Sequence, residues 1–210
     1  MKKSRKLRMA ALAALILSFA FGVSSLSAAP SIGGNKCSNP GSTVRTNNSR
    51  YICSPEGGRN VWRRVTGAAT ISGVTSVLRG LSTLDAALTA AELKAVLNGA
   101  DQYTLFAPTN AAFNSLPPGV LDKLLQPENK AALTSILLYH VTAGRVVAGS
   151  LTKSARTMAD GTAINITIKG GARIDGNSKV MFADIMARNG VIHIVNKVLL
   201  PPGFDPATLK

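Results

Sequence analysis

Past residue 70 the apolar positions follow two rhythms in turn. Leu81, Leu84, Leu88, Leu93, Val96 and Leu97 recur at helical spacing, which gathers side chains on one face of an α-helix. Ser82 or Thr83, with Asp85 behind it, supplies an N-terminal cap, and Asn98-Gly99 ends the stretch. Residues 103–107 are a short apolar strand stopped by Pro108, and Thr109 or Asn110 caps a brief helix through Phe113. Leu116-Pro117-Pro118-Gly119 breaks the chain. Residues 120–125 and 127–139 read as two further helices, the second opened by Pro127 with Glu128 near its positive end.

From Arg145 the period changes. Short β-branched runs are punctuated by Asp160-Gly161, Gly170-Gly171, Asp175-Gly176-Asn177 and Asn189-Gly190, the signature of hairpins in an antiparallel sheet. Helices first and strands second predict an α+β domain over residues 67–210. No internal repeat divides it.

Residues 30–66 are a different kind of segment, rich in Gly, Ser, Asn and Arg and poor in large aliphatics. They predict a small hairpin and linker, with a turn at Asn39-Pro40-Gly41 and short strands at Tyr51-Ile52-Cys53 and Asn60-Val61-Trp62. Cys37 and Cys53 are the only cysteines. In an oxidising compartment they predict a disulfide, which by closing a loop of about fifteen residues contributes on the order of 3 kcal/mol. Two thiolates with no histidine nearby are too few for a closed zinc site.

Residues 1–29 explain the compartment. A basic cluster from Lys2 to Arg8, an apolar run from Met9 to Val23 and the small residues Ser24 to Ala29 read as a secretory signal peptide. The competing reading is a membrane anchor, but a spanning helix needs roughly 20 apolar residues and this run is shorter. No other long apolar stretch follows, so no transmembrane anchor is expected after cleavage. The expected location is secreted, periplasmic or at the cell surface.

Charge then changes the picture of partners. The chain carries +14, and the leader holds five of the 24 basic residues and none of the ten acidic ones, which leaves +9. Such a chain is drawn to polyanions by attraction that salt screens. An exported protein meets acidic envelope polymers, lipid head groups and matrix glycans before it meets nucleic acid, so no nucleic-acid partner is expected. Catalysis finds no motif: there is no Gly-x-Ser-x-Gly elbow, His-Glu-x-x-His helix or phosphate-binding Gly-rich loop. The expectation is a protein that is not an enzyme and needs no cofactor or metal.

Three blocks, in order, carry a family resemblance. They are Thr104-Leu-Phe-Ala-Pro-Thr-Asn-Ala-Ala-Phe113, then Leu138-Tyr139-His140-Val141, then Gly190-Val-Ile-His-Ile-Val-Asn-Lys-Val-Leu-Leu-Pro201. Together they resemble the fasciclin (FAS1) domain over roughly residues 71–202. The resemblance implies a β-wedge or sandwich with helices packed over it, used for binding. Animal members are associated with integrin-dependent adhesion, and two of their motifs map onto Ile136 to Val141 and onto Asp184-Ile185-Met186. The implied binding residues are therefore Tyr139, His140, Asp184 and Ile185, with an extracellular or envelope protein, or an acidic surface polymer, as partner. A second function implied by the family is a carrier of a carotenoid or lipid in an apolar cleft between helices and sheet. Asn110 departs from the pattern, since many members carry aspartate there.

Each of these residues also has a structural role open to it. His140, inside the apolar run 136–141, fixes the end of its helix if a backbone partner meets it; adhesion and pH sensing are its other roles. His193, between Ile192 and Ile194, reads as structural. Tyr139 fits both a core hydroxyl and an exposed aromatic anchor. Asp184 fits a turn-capping carboxylate and a contact to a receptor metal. Trp62 with Arg63 and Arg64 fits packing on the hairpin and a cation-aromatic patch.

Overall fold

The structure is a computed structural model that describes residues 33–38, 42–46, 49–56, 59–65, 69–151, 156–157, 161–168 and 171–210. The expected leader and the Asn39-Pro40-Gly41 turn lie outside those residues. Strands β1 (Thr43–Thr46), β2 (Ser49–Glu56) and β3 (Arg59–Val65) form one antiparallel sheet in that order. The preceding segment runs along the other edge of β3. Gly34 N–H donates to Trp62 O at 2.8 Å, Trp62 N–H to Asn35 O at 2.9 Å and Cys37 N–H to Asn60 O at 3.0 Å. The Cys37–Cys53 disulfide then ties this segment to β2. The expected hairpin is thus a three-stranded sheet with a stapled edge, and its Ile52 is fully buried in the principal core of the molecule.

The rest of the chain is helices, then strands. Helices α1 (Ile71–Val77), α2 (Ser82–Ala90) and α3 (Lys94–Asn98) lead into β4 (Tyr103–Pro108). After α4 (Asn110–Asn114), α5 (Val120–Leu124) and α6 (Lys130–Tyr139) comes β5 (Val141–Ala143). Five further strands carry the second half: β6 (Arg156–Thr157), β7 (Ala163–Ile164), β8 (Ile166–Thr167), β9 (Arg173–Ile174) and β10 (Ser178–Ala187). β11 (Gly190–Val195) follows, and the main sheet runs β5-β4-β11-β10-β9-β8, with β6 and β7 paired apart from it. The α+β expectation is met.

Three details differ from the sequence expectation, each for a physical reason. The sheet is mixed, because β11 pairs with β4 in parallel; all intervening elements serve as the crossover that a parallel pair requires. The leucine stripe does not form one helix. Glu92 turns left-handed at φ 58°, and Leu93 N–H reaches back to Leu88 O at 2.9 Å, closing α2 with the bond pattern that commonly ends helices. Nor does Ser82 or Thr83 cap α2. The cap comes from Asn110, whose Oδ1 accepts from Thr83 N–H at 3.0 Å while Nδ2 donates to Arg79 O and Ser82 Oγ, both at 2.9 Å. The amide thus fills a donor role that an ionised aspartate has no proton to fill. Thr109, of the two expected candidates, caps α4 by accepting from Ala112 N–H at 3.1 Å.

Strand alternation divides the core in two. On β4, Leu105 and Ala107 face the helical layer with Ile192 and Ile194 of β11, while Phe106 and Val195 join a second cluster with Tyr139, Ile164, Ile174 and Leu199. Each large aliphatic side chain so buried stabilises the fold by about 1.5–3 kcal/mol. Every residue of β11 is buried, as expected of a strand covered on both faces.

Candidate functional site

The end of α6 builds the site from behind. His140 is fully buried and follows the last helical residue. Its Nδ1–H donates to Ile136 O at 2.8 Å, and its Nε2 accepts from Leu199 N–H at 2.9 Å. An acceptor at Nε2 fixes the proton on Nδ1, so the ring is neutral. Burial pulls its pKa from 6.5 down to about 4, against the opposing pull of the Ile136 carbonyl. Tyr139, 2% exposed, donates its hydroxyl to Asp175 Oδ2 at 3.0 Å. The other oxygen of Asp175 accepts from Asn165 N–H at 2.9 Å, which holds the tight turn before β10 where Asp175 sits at φ 50°.

Leu199 and Asp175, the two partners of this tyrosine-histidine pair, both line one cleft. It encloses about 470 Å³ and is lined by Leu116 and Pro117, by Asn177 and Ser178, and by Lys197 and Leu200 among others. Ser178 Oγ donates to Lys197 O at 3.0 Å, and Lys179 N–H to Asn196 Oδ1 at 2.7 Å, so the segments that carry Ser178 and Lys197 are tied to each other. Lys197 is exposed, and Leu200 presents 39% of its surface to solvent. An exposed aliphatic beside an ammonium group suits an amphipathic partner more than a wholly apolar one.

The aspartate-isoleucine motif lies elsewhere. Asp184 occupies an irregularity of β10 at φ 61°, between the Phe182 and Ile185 pairings with β11. Its Oδ1 accepts from Ala148 N–H at 2.7 Å, and its own N–H donates to His193 Nδ1 at 3.2 Å. His193 is buried, stacks on Phe106 with ring centres 5.5 Å apart, and donates from Nε2 to Val146 O at 2.8 Å. Desolvation lowers its pKa, with the Val146 carbonyl and the Asp184 carboxylate opposing. Asp184 therefore has the capping role, holding the turn at residues 148–150 to the sheet.

The four residues expected at a binding face are not one face. Tyr139, His140 and Ile185 are buried, and Asp184 alone of the four is partly exposed. Tyr139 and Ile185 even belong to different core clusters. A buried hydroxyl and a buried imidazole that already have partners are positioned to shape a surface, not to be one.

Sequence reasoning passed over Asn189, treating it as half of a turn. It is 1% exposed; Oδ1 accepts from Ile71 N–H at 2.8 Å, and Nδ2 donates to Leu97 O at 2.9 Å and Gly99 O at 3.1 Å. One side chain thus satisfies the start of α1 and the end of α3, groups a helix leaves unpaired. The only signal was the Asn-Gly pair inside the third block. The apolar cleft expected of a lipophile carrier has a counterpart between Leu93, Val96, Leu97, Tyr103, Leu138 and Val141, but its volume is about 50 Å³. Ligand pockets usually enclose about 300–1,000 Å³, so a carotenoid or lipid does not fit there. Among the described residues no helix is long and apolar enough to cross a membrane, and no group of three His, Cys, Asp or Glu could hold a metal ion.

Comparison with known proteins agrees with this architecture. The family model described as the fasciclin domain matches residues 79–201. Protein sll1483 of Synechocystis is 41% identical over 135 residues, covering 64% of this chain and 75% of that protein. Immunogenic protein MPB70 of Mycobacterium bovis is 37% identical over 127 residues, 58% of this chain and 64% of that protein. Transforming growth factor-beta-induced protein ig-h3 of Sus scrofa is 40% identical over 137 residues, but these are 20% of its own length. A FAS1 domain pair from the insect cell adhesion molecule fasciclin I superposes with a TM-score of 0.60 at 18% identity, covering 75% of this chain and 62% of that one. With the family model matching more than half of its length, the chain belongs to the fasciclin domain family.

Proposed function

We propose that this chain is a secreted or cell-surface interaction protein that binds an envelope or matrix component through its fasciclin domain. The observation that carries the reading is the 470 Å³ cleft, two of whose lining residues are held from within, Asp175 by Tyr139 and Leu199 by His140. A binding surface held by buried hydrogen bonds loses little entropy when a partner docks. Family membership favours the same reading, since relatives include the cell surface glycolipoprotein MPB83 of Mycobacterium bovis, 35% identical over 137 residues. The partner class is an extracellular or envelope protein with an apolar group for Leu200 and an acidic or carbonyl group for Lys197. Both histidines are buried and engaged at both nitrogens, which favours binding over acid-base catalysis.

The test is retention of the purified, disulfide-intact protein on cells of its own source. Leu200→Asp combined with Lys197→Glu should abolish retention while the melting temperature stays within a few degrees of the parent. Unchanged retention of that variant would remove the cleft from the proposal.

A further inference from the structure

Charge is divided unevenly between the two halves of the domain. Residues 67–144 carry four basic and five acidic side chains, whereas residues 145–210 carry nine and four. Two of those nine cations share one face where β8, β9 and β10 lie side by side. The register sets Thr167 opposite Arg173 and Arg173 opposite Lys179, and all three residues are exposed. Ile166, Ile174 and Ser178, which alternate with them, are buried on the other face. Like charges directly opposite each other destabilise an antiparallel pair. Neither the Arg173 guanidinium nor the Lys179 ammonium has an ion-pair or hydrogen-bond partner among the described residues, whose ion pairs, Lys94–Asp85 and Lys130–Glu92, are both in the helical half. Asp175 and Asp184 do not supply one, since the first accepts from the Tyr139 hydroxyl and Asn165 N–H and the second from Ala148 N–H. Apolar surface flanks the two cations. Ile168, next to Thr167, is 43% exposed, and Met181, two residues past Lys179, is 46% exposed. Gly171 N–H donates to Ile168 O at 3.1 Å, and a Cβ on Gly171 would lie 3.8 Å from Lys179 Cε, so the lysine stem runs beside the turn that carries Ile168.

From this juxtaposition we infer that the solvent face of β8, β9 and β10 docks on an anionic phospholipid surface, with Arg173 and Lys179 on headgroup phosphates and Ile168 and Met181 in the boundary between headgroups and acyl chains. The inference rests on the surface location proposed above but uses none of the cleft. Arginine engages a phosphate with two parallel hydrogen bonds and lysine adds a point charge, and the sheet holds the two about 4.8 Å apart across neighbouring strands. Cations beside exposed aliphatics are the pairing that an interface between water and lipid satisfies, the first by attraction to anionic headgroups and the second by burial below them. An acidic polysaccharide or a nucleic acid engages the cations and leaves both aliphatics in water, so it is disfavoured. The opposite face of the same strands supplies Ile174 and Ser178 to the cleft lining. Docking through Arg173 and Lys179 therefore leaves that lining free for its own partner.

The experiment is co-sedimentation of the disulfide-intact protein with vesicles of phosphatidylcholine and phosphatidylglycerol in equal parts, against vesicles of phosphatidylcholine alone. The charge variant combines Arg173→Gln with Lys179→Gln, and a control removes the same charge from exposed positions elsewhere, with Lys36→Gln and Arg188→Gln. Each basic side chain at an anionic lipid surface is worth about fivefold in binding, so the charge variant should bind the anionic vesicles about 20-fold more weakly at low salt, with the control close to the parent. Ile168→Ser combined with Met181→Ser keeps the charge and should also bind more weakly, with the loss persisting at high salt. Equal loss in the charge variant and the control, or no loss in the charge variant, would overturn the assignment. So would parent-level binding by the Ile168→Ser, Met181→Ser protein, or tighter binding to dextran sulfate than to the anionic vesicles, either of which would point to an acidic polymer. The vesicles carry no protein, so failure here leaves the cleft reading standing, and failure of the cleft variant on cells leaves this one standing.

Discussion

His140 and Leu199 are 59 residues apart, yet the imidazole Nε2 of the first accepts the backbone N–H of the second at 2.9 Å in a fully buried setting. The same ring donates to Ile136 O, so it joins the last turn of α6 to the segment after β11 only while it is neutral. Protonation would put a second N–H against an N–H.

Acid should therefore loosen the fold through this residue. The folded pKa, about 4, lies below the ordinary 6.5, so between those values the unfolded chain binds the extra proton. Stability is complete above about pH 6.5 and declines as pH falls toward 4, by on the order of 3 kcal/mol in all from this group. His193, shifted in the same direction by burial, adds to the slope. Urea unfolding midpoints measured from pH 7.5 to 4.5 check this, and a midpoint that holds constant across the range would refute it.

Tyr139→Phe separates positioning from packing. The ring stays in the core, and loss of one hydrogen bond to the Asp175 carboxylate costs about 1.5–3 kcal/mol. If the cleft is the binding site, partner retention falls by more than that stability change explains, because the Asp175 wall is released. Retention equal to the parent at unchanged melting temperature would leave Tyr139 a core residue alone.

Gly190 allows no side chain. Its φ is 155°, and a Cβ there would lie 1.9 Å from Tyr103 O and 2.8 Å from Ile71 Cδ1, at the point where β4 and β11 meet in parallel register. Gly190→Ala should destabilise by about 3 kcal/mol or more. Chemical denaturation checks it; a loss under 1 kcal/mol would mean that the strands part without cost.

Asn110→Ala removes the cap that Thr83 lacks locally, and should cost about 1 kcal/mol. Hydrogen exchange localises the effect: faster exchange at the start of α2 is expected, with β10 and β11 unchanged.

Replacing Cys37 and Cys53 by serine should lower stability by about 3 kcal/mol. Thermal melts of the variant against the parent with and without reductant check this. A parent that melts at the same temperature under both conditions would contradict it.

Much of the molecule was legible from its residues in order. The helical spacing from Leu81 to Leu97, the turns at Asp175-Gly176-Asn177 and Asn189-Gly190, the Cys37–Cys53 pair and the three family blocks each state a local preference, and local preference is what a sequence carries directly. Three assignments depended on neighbours that the chain order does not reveal. Whether Tyr139 faced water or core was decided by Asp175, 36 residues on, which gives its hydroxyl a partner inside. The parallel pairing of β4 with β11 required two strands more than 80 residues apart to meet, and nothing in either strand's own alternation marks a direction. The roles of Asn110 and Asn189 came from backbone groups at helix ends that find no partner within their own helix, so the side chain that meets them is chosen by proximity in space. Sequence alone set the elements, the disulfide and the charge; tertiary structure decided which polar side chains are buried, because burial depends on what packs from elsewhere in the chain.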